Sequence, residues 1–310
     1  MFALFALSAR RATASLAFSP TFDSTITSDP NAAAIEGAIN NVLANYSAMF
    51  GDPITVHITF ASMSGGLGQS NFSLSTVSYQ DFYTALLADG KSADDAAALA
   101  RLGSDGSGST NPVTGTTSIF MKPATIRAVG LNCSSCPSSD GTISINTHIT
   151  DIGSPGTSGQ YSFIATVEHE VDEILGLGST LGVVAGSNQP SPEDFFRFTS
   201  AGARSFTTSS SATAYFSING TTDLAQFDNQ NDGGDFGDWQ SNPRPAGTSP
   251  QVQDAFATPG AHPALGVELG ALDVIGYDLV SVPEPASYGF LGLAIGAVAW
   301  FARRRSHRQI

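Results

Sequence analysis

The sequence is poor in basic residues, in cysteine and in long apolar runs. Of its 310 residues only 13 are Lys or Arg against 27 Asp or Glu, and the formal net charge is −14. Six of the basic residues lie near the two termini, which leaves the central body more acidic still. An acidic body without a basic stripe repels phosphate. We therefore expect no nucleic-acid partner.

The two cysteines, Cys133 and Cys136, form a single CxxC in a loop rich in Ser and Asn. One such pair without a second pair is a weak zinc pattern. No βαβ pattern surrounds it, which argues against a thioredoxin-type redox site. In an oxidising compartment we expect Cys133 and Cys136 to form a local disulfide.

One uncharged run, residues 286–302, approaches the length of a membrane span. As a helix its 17 residues would rise about 25 Å, against a hydrocarbon core of roughly 30 Å. The run follows the motif Val282, Pro283, Glu284, Pro285 and precedes the basic residues Arg303, Arg304, Arg305, Arg308. By the positive-inside tendency the arginines stay in the cytoplasm and the body faces out. The alternative is a buried C-terminal helix with a basic end.

The order of proline motif, short span and arginine cluster resembles the PEP-CTERM sorting signal of exported bacterial proteins. The resemblance implies that the tail holds the protein in the inner membrane until an exosortase removes it. The processed protein would then be extracellular or attached to the cell surface.

Export predicts a signal peptide, but the first residues fit one poorly. Residues 1–9 are apolar but short, and Arg10 and Arg11 follow this stretch instead of preceding it. We interpret residues 1–17 as a remnant or mis-started leader, 18–280 as the main domain, and 281–310 as the sorting signal.

Hydrophobic periodicity in the body predicts an α+β domain. Helices are expected from Asp29-Pro30 to Tyr46 and over 79–87, 92–102, 161–175 and 267–277. Strands are expected over 54–60, 142–146 and 213–218. Between Gly186 and Gly260 the sequence otherwise indicates loops.

The predicted helix 161–175 carries the candidate chemistry. His169 and Glu173 are four residues apart and therefore share one helix face. HExxH helices present two zinc ligands in this way, with the intervening glutamate, here Glu170, as general base. Glu173 replaces the second histidine, and a carboxylate is an acceptable zinc ligand. The alternative is that the acidic residues of this helix form only its solvated face.

This segment resembles the zinc helix of the metzincin peptidases, HExxHxxGxxH or HExxHxxGxxD. Gly176 stands at the family's turning glycine, whereas Ser179, a poor zinc ligand, stands at the third-ligand position. The four methionines all precede the helix, so the family's methionine turn is not evident.

A wider resemblance is to bacterial exported proteins that are described as metalloproteases because of a HExxE helix. It rests on HEVDEILGLGS at 169–179, DFFRF at 194–198, AYFSING at 214–220, GGDFGDW at 233–239, QDAFATPG at 253–260 and LDVIGYDL at 272–279. The resemblance implies a metzincin-like fold with a twisted sheet, a central active-site helix and an irregular C-terminal half. It also implies zinc-dependent peptide hydrolysis.

The third zinc ligand has to come from elsewhere in the chain. Asp194, just past the helix, is the first candidate, His262 is the alternative, and His148 is less favoured. Glu170 would take a proton from the attacking water.

Calcium is a second cofactor to consider. Residues 228–233 resemble the start of a calcium loop, but the twelfth position is Trp239, which excludes an EF-hand. Calcium held in another loop geometry and a plain Asn/Asp/Gly turn remain as alternatives.

Together these features predict an exported, transiently membrane-anchored zinc metallopeptidase-like protein that hydrolyses extracellular proteins or peptides. The alternative is a non-catalytic matrix or cell-surface protein with a decayed metal site.

Overall fold

A computed structural model describes residues 15–103, 109–152, 159–183, 188–229 and 232–280 of the chain. The strands in these ranges are β1 Ala17–Phe22, β2 Thr55–Ser62, β3 Gly68–Phe72, β4 Ser75–Ser78, β5 Ser118–Met121, β6 Gly141–Ile145, β7 Thr150–Asp151, β8 Tyr161–Ser162, β9 Arg197–Phe198, β10 Tyr215–Phe216 and β11 Ala225–Gln226. The helices are α1 Ser24–Thr27, α2 Ala32–Met49, α3 Tyr79–Asp89, α4 Ala93–Leu102, α5 Pro123–Ala128, α6 Phe163–Leu175 and α7 Val267–Val274.

The main sheet has four strands in the order β1-β2-β6-β3. The first three run parallel, and β3 is an antiparallel edge strand paired with β6. The alternation predicted for residues 54–60 is confirmed, because Val56, Ile58 and Phe60 of β2 are buried. Such alternation is what a strand with one core-facing side requires.

Helix α6 lies at the centre of the body, in contact with β3, β6, α2, α5 and α7. Ser162 caps its N-terminus by accepting a hydrogen bond from the Ala165 amide. Its C-terminus stops at Gly176, whose φ is +149°. A side chain there would also overlap the Thr125 hydroxyl, so this position favours glycine on two grounds.

The α+β prediction is confirmed, with small differences in element bounds. Ser92 and Asp95 form the predicted capping box of α4. Helix α2 begins at Ala32 rather than at Asp29-Pro30, because Asp29 accepts a hydrogen bond from the Asn31 amide in a turn before the helix. Tyr161 and Ser162, predicted as helix, pair with β7 instead.

Cys133 and Cys136 are joined by a disulfide in the loop between α5 and β6. Among the described residues, no helix has both the length and the apolar character of a membrane span. The predicted transmembrane run 286–302, the Val282–Pro285 motif and the tail arginines lie outside the described residues, as do residues 1–14 of the predicted leader.

Candidate metal centre

The acidic residues of α6 are buried, so the interpretation of them as a solvated helix face is wrong. Glu168, Glu170, Asp172 and Glu173 have exposed fractions of 6%, 5%, 0% and 9%. Burying a carboxylate is costly unless it is hydrogen-bonded, paired with a cation or protonated. Each of these buried carboxyl groups is therefore expected to have a hydrogen-bond donor, a cation or a proton.

Asp172 and Glu168 lie on the side of α6 that faces α2. The Tyr46 hydroxyl donates a 2.6 Å hydrogen bond to Asp172 Oδ1 and also lies 3.2 Å from the Glu168 carbonyl oxygen. Burial raises the pKa of Asp172 well above its usual value, and it raises that of Glu168 to about 7. The Tyr46 hydroxyl thus partners the Asp172 carboxyl group without a metal, whereas its contact with Glu168 is to the backbone carbonyl.

The other face of α6 forms one wall of an open cavity of about 460 Å³. His169, Glu170 and Glu173 line it from the helix, and Asp238 lines it from a loop in the C-terminal half. The helix face predicted to carry the chemistry therefore opens to a space that a substrate could enter.

His169, Glu173 and Asp238 each offer one ligand atom, and these three atoms lie within 4.8 Å of one another. His169 Nε2 is 3.9 Å from Glu173 Oε1 and 3.8 Å from Asp238 Oδ1. One imidazole nitrogen and two carboxylate oxygens around a common point are a ligand set that zinc accepts. Among the described residues this is the group that could hold a metal ion.

The protein fixes which nitrogen of His169 faces this point. His169 Nδ1 is 3.0 Å from the Val252 carbonyl oxygen. Because a carbonyl can only accept a hydrogen bond, Nδ1 carries the proton there. In the neutral ring Nε2 then presents its lone pair to Glu173 and Asp238, as metal-binding histidines commonly do.

The two carboxylates are also held by neighbours. Gln253 Nε2 donates a 3.0 Å hydrogen bond to Asp238 Oδ1, and Ser70 on the edge strand β3 donates to Glu173 Oε2. Trp239 pairs with the backbone on both sides of Asp254, which aligns the Asp238 loop with the Val252–Gln253 segment. These contacts limit the freedom of all three candidate ligands.

Glu268 of α7 ties the same two segments together. Its Oε1 accepts hydrogen bonds of 3.1 Å from the Trp239 indole and from the Gln253 amide. Hydrogen bonds from β3, from the Asp238 loop and from α7 thus hold the candidate centre in place.

Glu170 packs against the edge strand at Gly68. A side chain at Gly68 would overlap Glu170 Oε1 and come within 2.9 Å of Thr166 Cγ2. The close approach of β3 to α6 at this point therefore requires glycine. Glu170 lies in the cavity wall beside the candidate ligands, where a general base would be needed.

The residues of the cluster shift one another's pKa values. Burial lowers the pKa of His169, but the charges of Asp238, Glu170 and Glu173 outweigh it and raise the pKa to about 10. Burial and the neighbouring carboxylates raise the pKa of both Glu170 and Asp238. The cluster therefore holds its protons tightly, and a divalent cation at His169 Nε2 would have to displace them.

Asp194, the first candidate for the third ligand, is not part of this cluster. Its Oδ1 accepts a hydrogen bond from Ser179, and its Oδ2 accepts from the backbone amides of Thr180 and Ser191. Asp194 therefore organises the chain after α6, and the structure brings Asp238 to His169 and Glu173 in its place.

The two histidines considered for the third ligand also lie elsewhere. His262 Nε2 is 3.1 Å from Asp151 Oδ2, and Asp151 belongs to β7 and accepts a hydrogen bond from the first residue of α6, Phe163. His148 is exposed in the turn after β6. Neither belongs to the His169 cluster.

The loop considered for calcium uses its Asn229 side chain for protein contacts. Asn229 Oδ1 accepts from Arg197, and its Nδ2 donates to the Ser209 and Ala212 carbonyls. Residues 230 and 231 lie outside the described ranges, so calcium binding by this loop stays a prediction.

No sequence pattern predicts that Asp238 and Gln253 belong to the site. Both lie far along the chain from α6, and no spacing rule connects them with a helix motif. One signal was present in the GGDFGDW segment, where Gly237 precedes Asp238. A side chain at Gly237 would overlap the backbone of Gly178 and Ser179, so this glycine lets the Asp238 loop pack against the end of α6.

Comparison with known families supports the prediction made for the tail. Residues 281–306 match the family model of the PEP-CTERM protein-sorting motif. The match indicates an exported, extracellular or cell-surface protein whose C-terminus is recognised by an exosortase. No curated protein and no solved structure matches the chain.

Proposed function

We propose that this exported protein is a zinc-dependent metallopeptidase with a metzincin-like body. The observation that carries the proposal is the cluster of His169, Glu173 and Asp238 at the wall of an open cavity, with Glu170 beside it. Catalytic zinc sites combine three protein ligands with an open position.

The residues present fit zinc. His169 Nε2, Glu173 and Asp238 would hold the ion, and Val252, Ser70 and Gln253 orient them through the contacts described above. Zinc bound there would act as a Lewis acid toward water and a substrate carbonyl. In a ligand set of one histidine and two carboxylates, the glutamate at position 173 can serve where HExxH helices have a second histidine.

Glu170 is suited to accept and return a proton during hydrolysis. It lines the cavity wall beside His169 and Glu173, within the same helix turn as the candidate ligands. In the described part of the chain, the edge strand β3 pairs with β6 alone, and it borders the same cavity. An extended peptide could pair with its outer edge and place a scissile bond near His169.

The test uses the full chain produced in an exporting host. We expect the wild type to bind one zinc ion and to hydrolyse casein. Glu170→Gln should lower kcat by about 100-fold or more while zinc remains bound, because general-base groups contribute about 10²–10⁴-fold. Glu36→Gln, on the outer part of α2, is the matched control and should behave as wild type.

Wild-type protein with neither zinc nor casein hydrolysis would contradict the proposal and favour a matrix or surface protein with a decayed site. Hydrolysis that Glu170→Gln leaves unchanged would contradict the role of Glu170.

A further inference from the structure

A second, smaller cavity of about 180 Å³ continues the cleft beyond Glu173. It shares three residues with the larger cavity, namely Ser70, Glu173 and Asp235. The two cavities therefore meet at the candidate metal centre. A peptide lying along β3 with its scissile bond at His169 would carry a neighbouring side chain to the entrance of the smaller cavity.

Large apolar side chains form the walls of this cavity. Phe72 ends β3, Leu74 follows it, and Phe120 faces them from β5. All three are only half-buried, although large apolar groups of this kind are most stable when covered. Val183, which is 58% exposed, stands at the rim. Exposed apolar side chains gathered around a concavity are typical of binding sites.

The polar groups at the floor already have partners inside the protein. Lys122 Nζ donates to the Glu173 and Leu177 carbonyls at 2.6 and 2.5 Å and lies 3.7 Å from the Phe72 ring centre. The hydroxyl of Thr180 donates to the Gln189 carbonyl, and that of Ser191 donates to the Gly178 carbonyl. A side chain bound in this cavity would contact apolar groups and would meet few free hydrogen-bond donors.

Charge excludes ionic occupants at both ends of the cavity. The Lys122 ammonium at the floor repels a Lys or Arg side chain. The Asp235 carboxylate at the entrance repels Asp or Glu. Only a neutral side chain satisfies both constraints.

We propose that the cavity lined by Phe72, Leu74 and Phe120 is a specificity subsite that takes an aromatic or large aliphatic side chain of the peptide substrate. The side chain would belong to a residue next to the scissile bond, on one side of it. This inference rests on the proposed peptidase function.

The test compares two fluorescent peptide series with the zinc-loaded full chain, with Phe, Leu, Ala, Lys or Glu placed on either side of the scissile bond. We expect kcat/KM for Phe or Leu on one side to exceed that for Ala by about tenfold or more, since burying such a side chain is worth this much. Lys and Glu should be the poorest residues on that side.

Leu74→Ser should reduce this preference to about threefold or less, since Leu74 is a half-buried loop residue that contributes wall surface. Leu87→Ser is the control, because Leu87 is equally apolar and 56% exposed on α3 away from both cavities. It should leave the preference intact. Equal rates for Phe, Ala and Glu in the wild type would overturn the subsite.

Binding of the same peptides by fluorescence anisotropy separates this inference from the peptidase proposal. If no peptide is hydrolysed, tighter binding of the Phe than of the Ala peptide, lost in Leu74→Ser, would still support the subsite. Equal binding of both peptides would overturn it. Hydrolysis without side-chain preference would overturn the subsite and leave the peptidase proposal standing.

Discussion

At the scale of single residues, Asp238 and Asp194 occupy different environments. Asp238 faces His169 Nε2 at 3.8 Å in the wall of the larger cavity. Asp194 is enclosed by hydrogen-bond donors of the chain after α6. The same side-chain type is thus suited to a metal in one place and to loop stabilisation in the other.

We therefore expect Asp238→Asn to change zinc affinity and Asp194→Asn to change the stability of the fold. Asp238→Asn should weaken zinc binding by more than about 100-fold, since even the loss of a residue that supports a ligand costs about 10–100-fold. Asp194→Asn should leave zinc affinity nearly unchanged but lower the free energy of unfolding by about 1–3 kcal/mol, because buried donors lose a charged acceptor. Zinc titration and urea unfolding measure the two effects. The reverse pattern would restore Asp194 as the ligand.

The residues of the site differ in how far sequence could predict them. His169, Glu170 and Glu173 could be predicted to share one face because helical spacing fixes their relation within α6. Asp238 and Gln253 could not, because only the pairing of Trp239 with the segment around Asp254 brings them to the helix. Such contacts between irregular segments leave no periodic signal.

At the scale of elements, the contact between β3 and α6 sets the shape of the site. Strand β3 runs along α6 close enough that Gly68 meets Glu170 and Ser70 meets Glu173. Hydrophobic periodicity and capping residues in the sequence predict helices α3, α4 and α6 and strands β2 and β6. They do not predict the short edge strand β3, because its sequence, GQSNF, has almost no apolar alternation and the strand is defined by its pairing with β6.

Gly68→Ala tests this contact. The new methyl group should push Glu170 away from its position, and a displacement of about 1 Å can cost about 100-fold in kcat. Zinc binding should persist, because Gly68 does not touch the three candidate ligands. Gly65→Ala is the control, since a methyl group there meets no atom within 4 Å. Full activity of Gly68→Ala would show that Glu170 does not act from this position.

At the scale of the whole molecule, the acidic composition makes stability depend on pH. Asp52 joins the end of α2 to the end of the body, where its Oδ2 accepts a 3.0 Å hydrogen bond from the Asp278 amide. Its Oδ1 is buried without a hydrogen-bond partner. Burial, together with the charges of Asp278 and Asp89, raises the pKa of Asp52 from 3.8 to about 7.

A raised carboxyl pKa means that the folded protein holds this proton more tightly than the unfolded chain does. The contribution of Asp52 to stability is therefore fully present below pH 4 and is lost as the pH rises through about 7. We expect Asp52→Asn to match the wild type near pH 4 and to be more stable by about 1–3 kcal/mol at pH 8. Urea unfolding at both pH values measures the difference, and an Asn variant that is less stable at pH 8 would contradict it.

The sorting signal indicates the compartment in which the body of the protein acts. The match at residues 281–306 indicates export, and the Cys133–Cys136 disulfide is consistent with an oxidising compartment. Sequence predicted the destination because the signal is local and contiguous. The candidate metal centre depends on residues from distant parts of the chain, and its assembly emerges only from the fold.

The most direct test of the metal centre is a crystal of the wild-type protein grown with zinc and measured on both sides of the zinc absorption edge. We expect one anomalous peak about 2 Å from His169 Nε2 and from carboxylate oxygens of Glu173 and Asp238. A peak at Asp194 or His262, or none at His169, would contradict it.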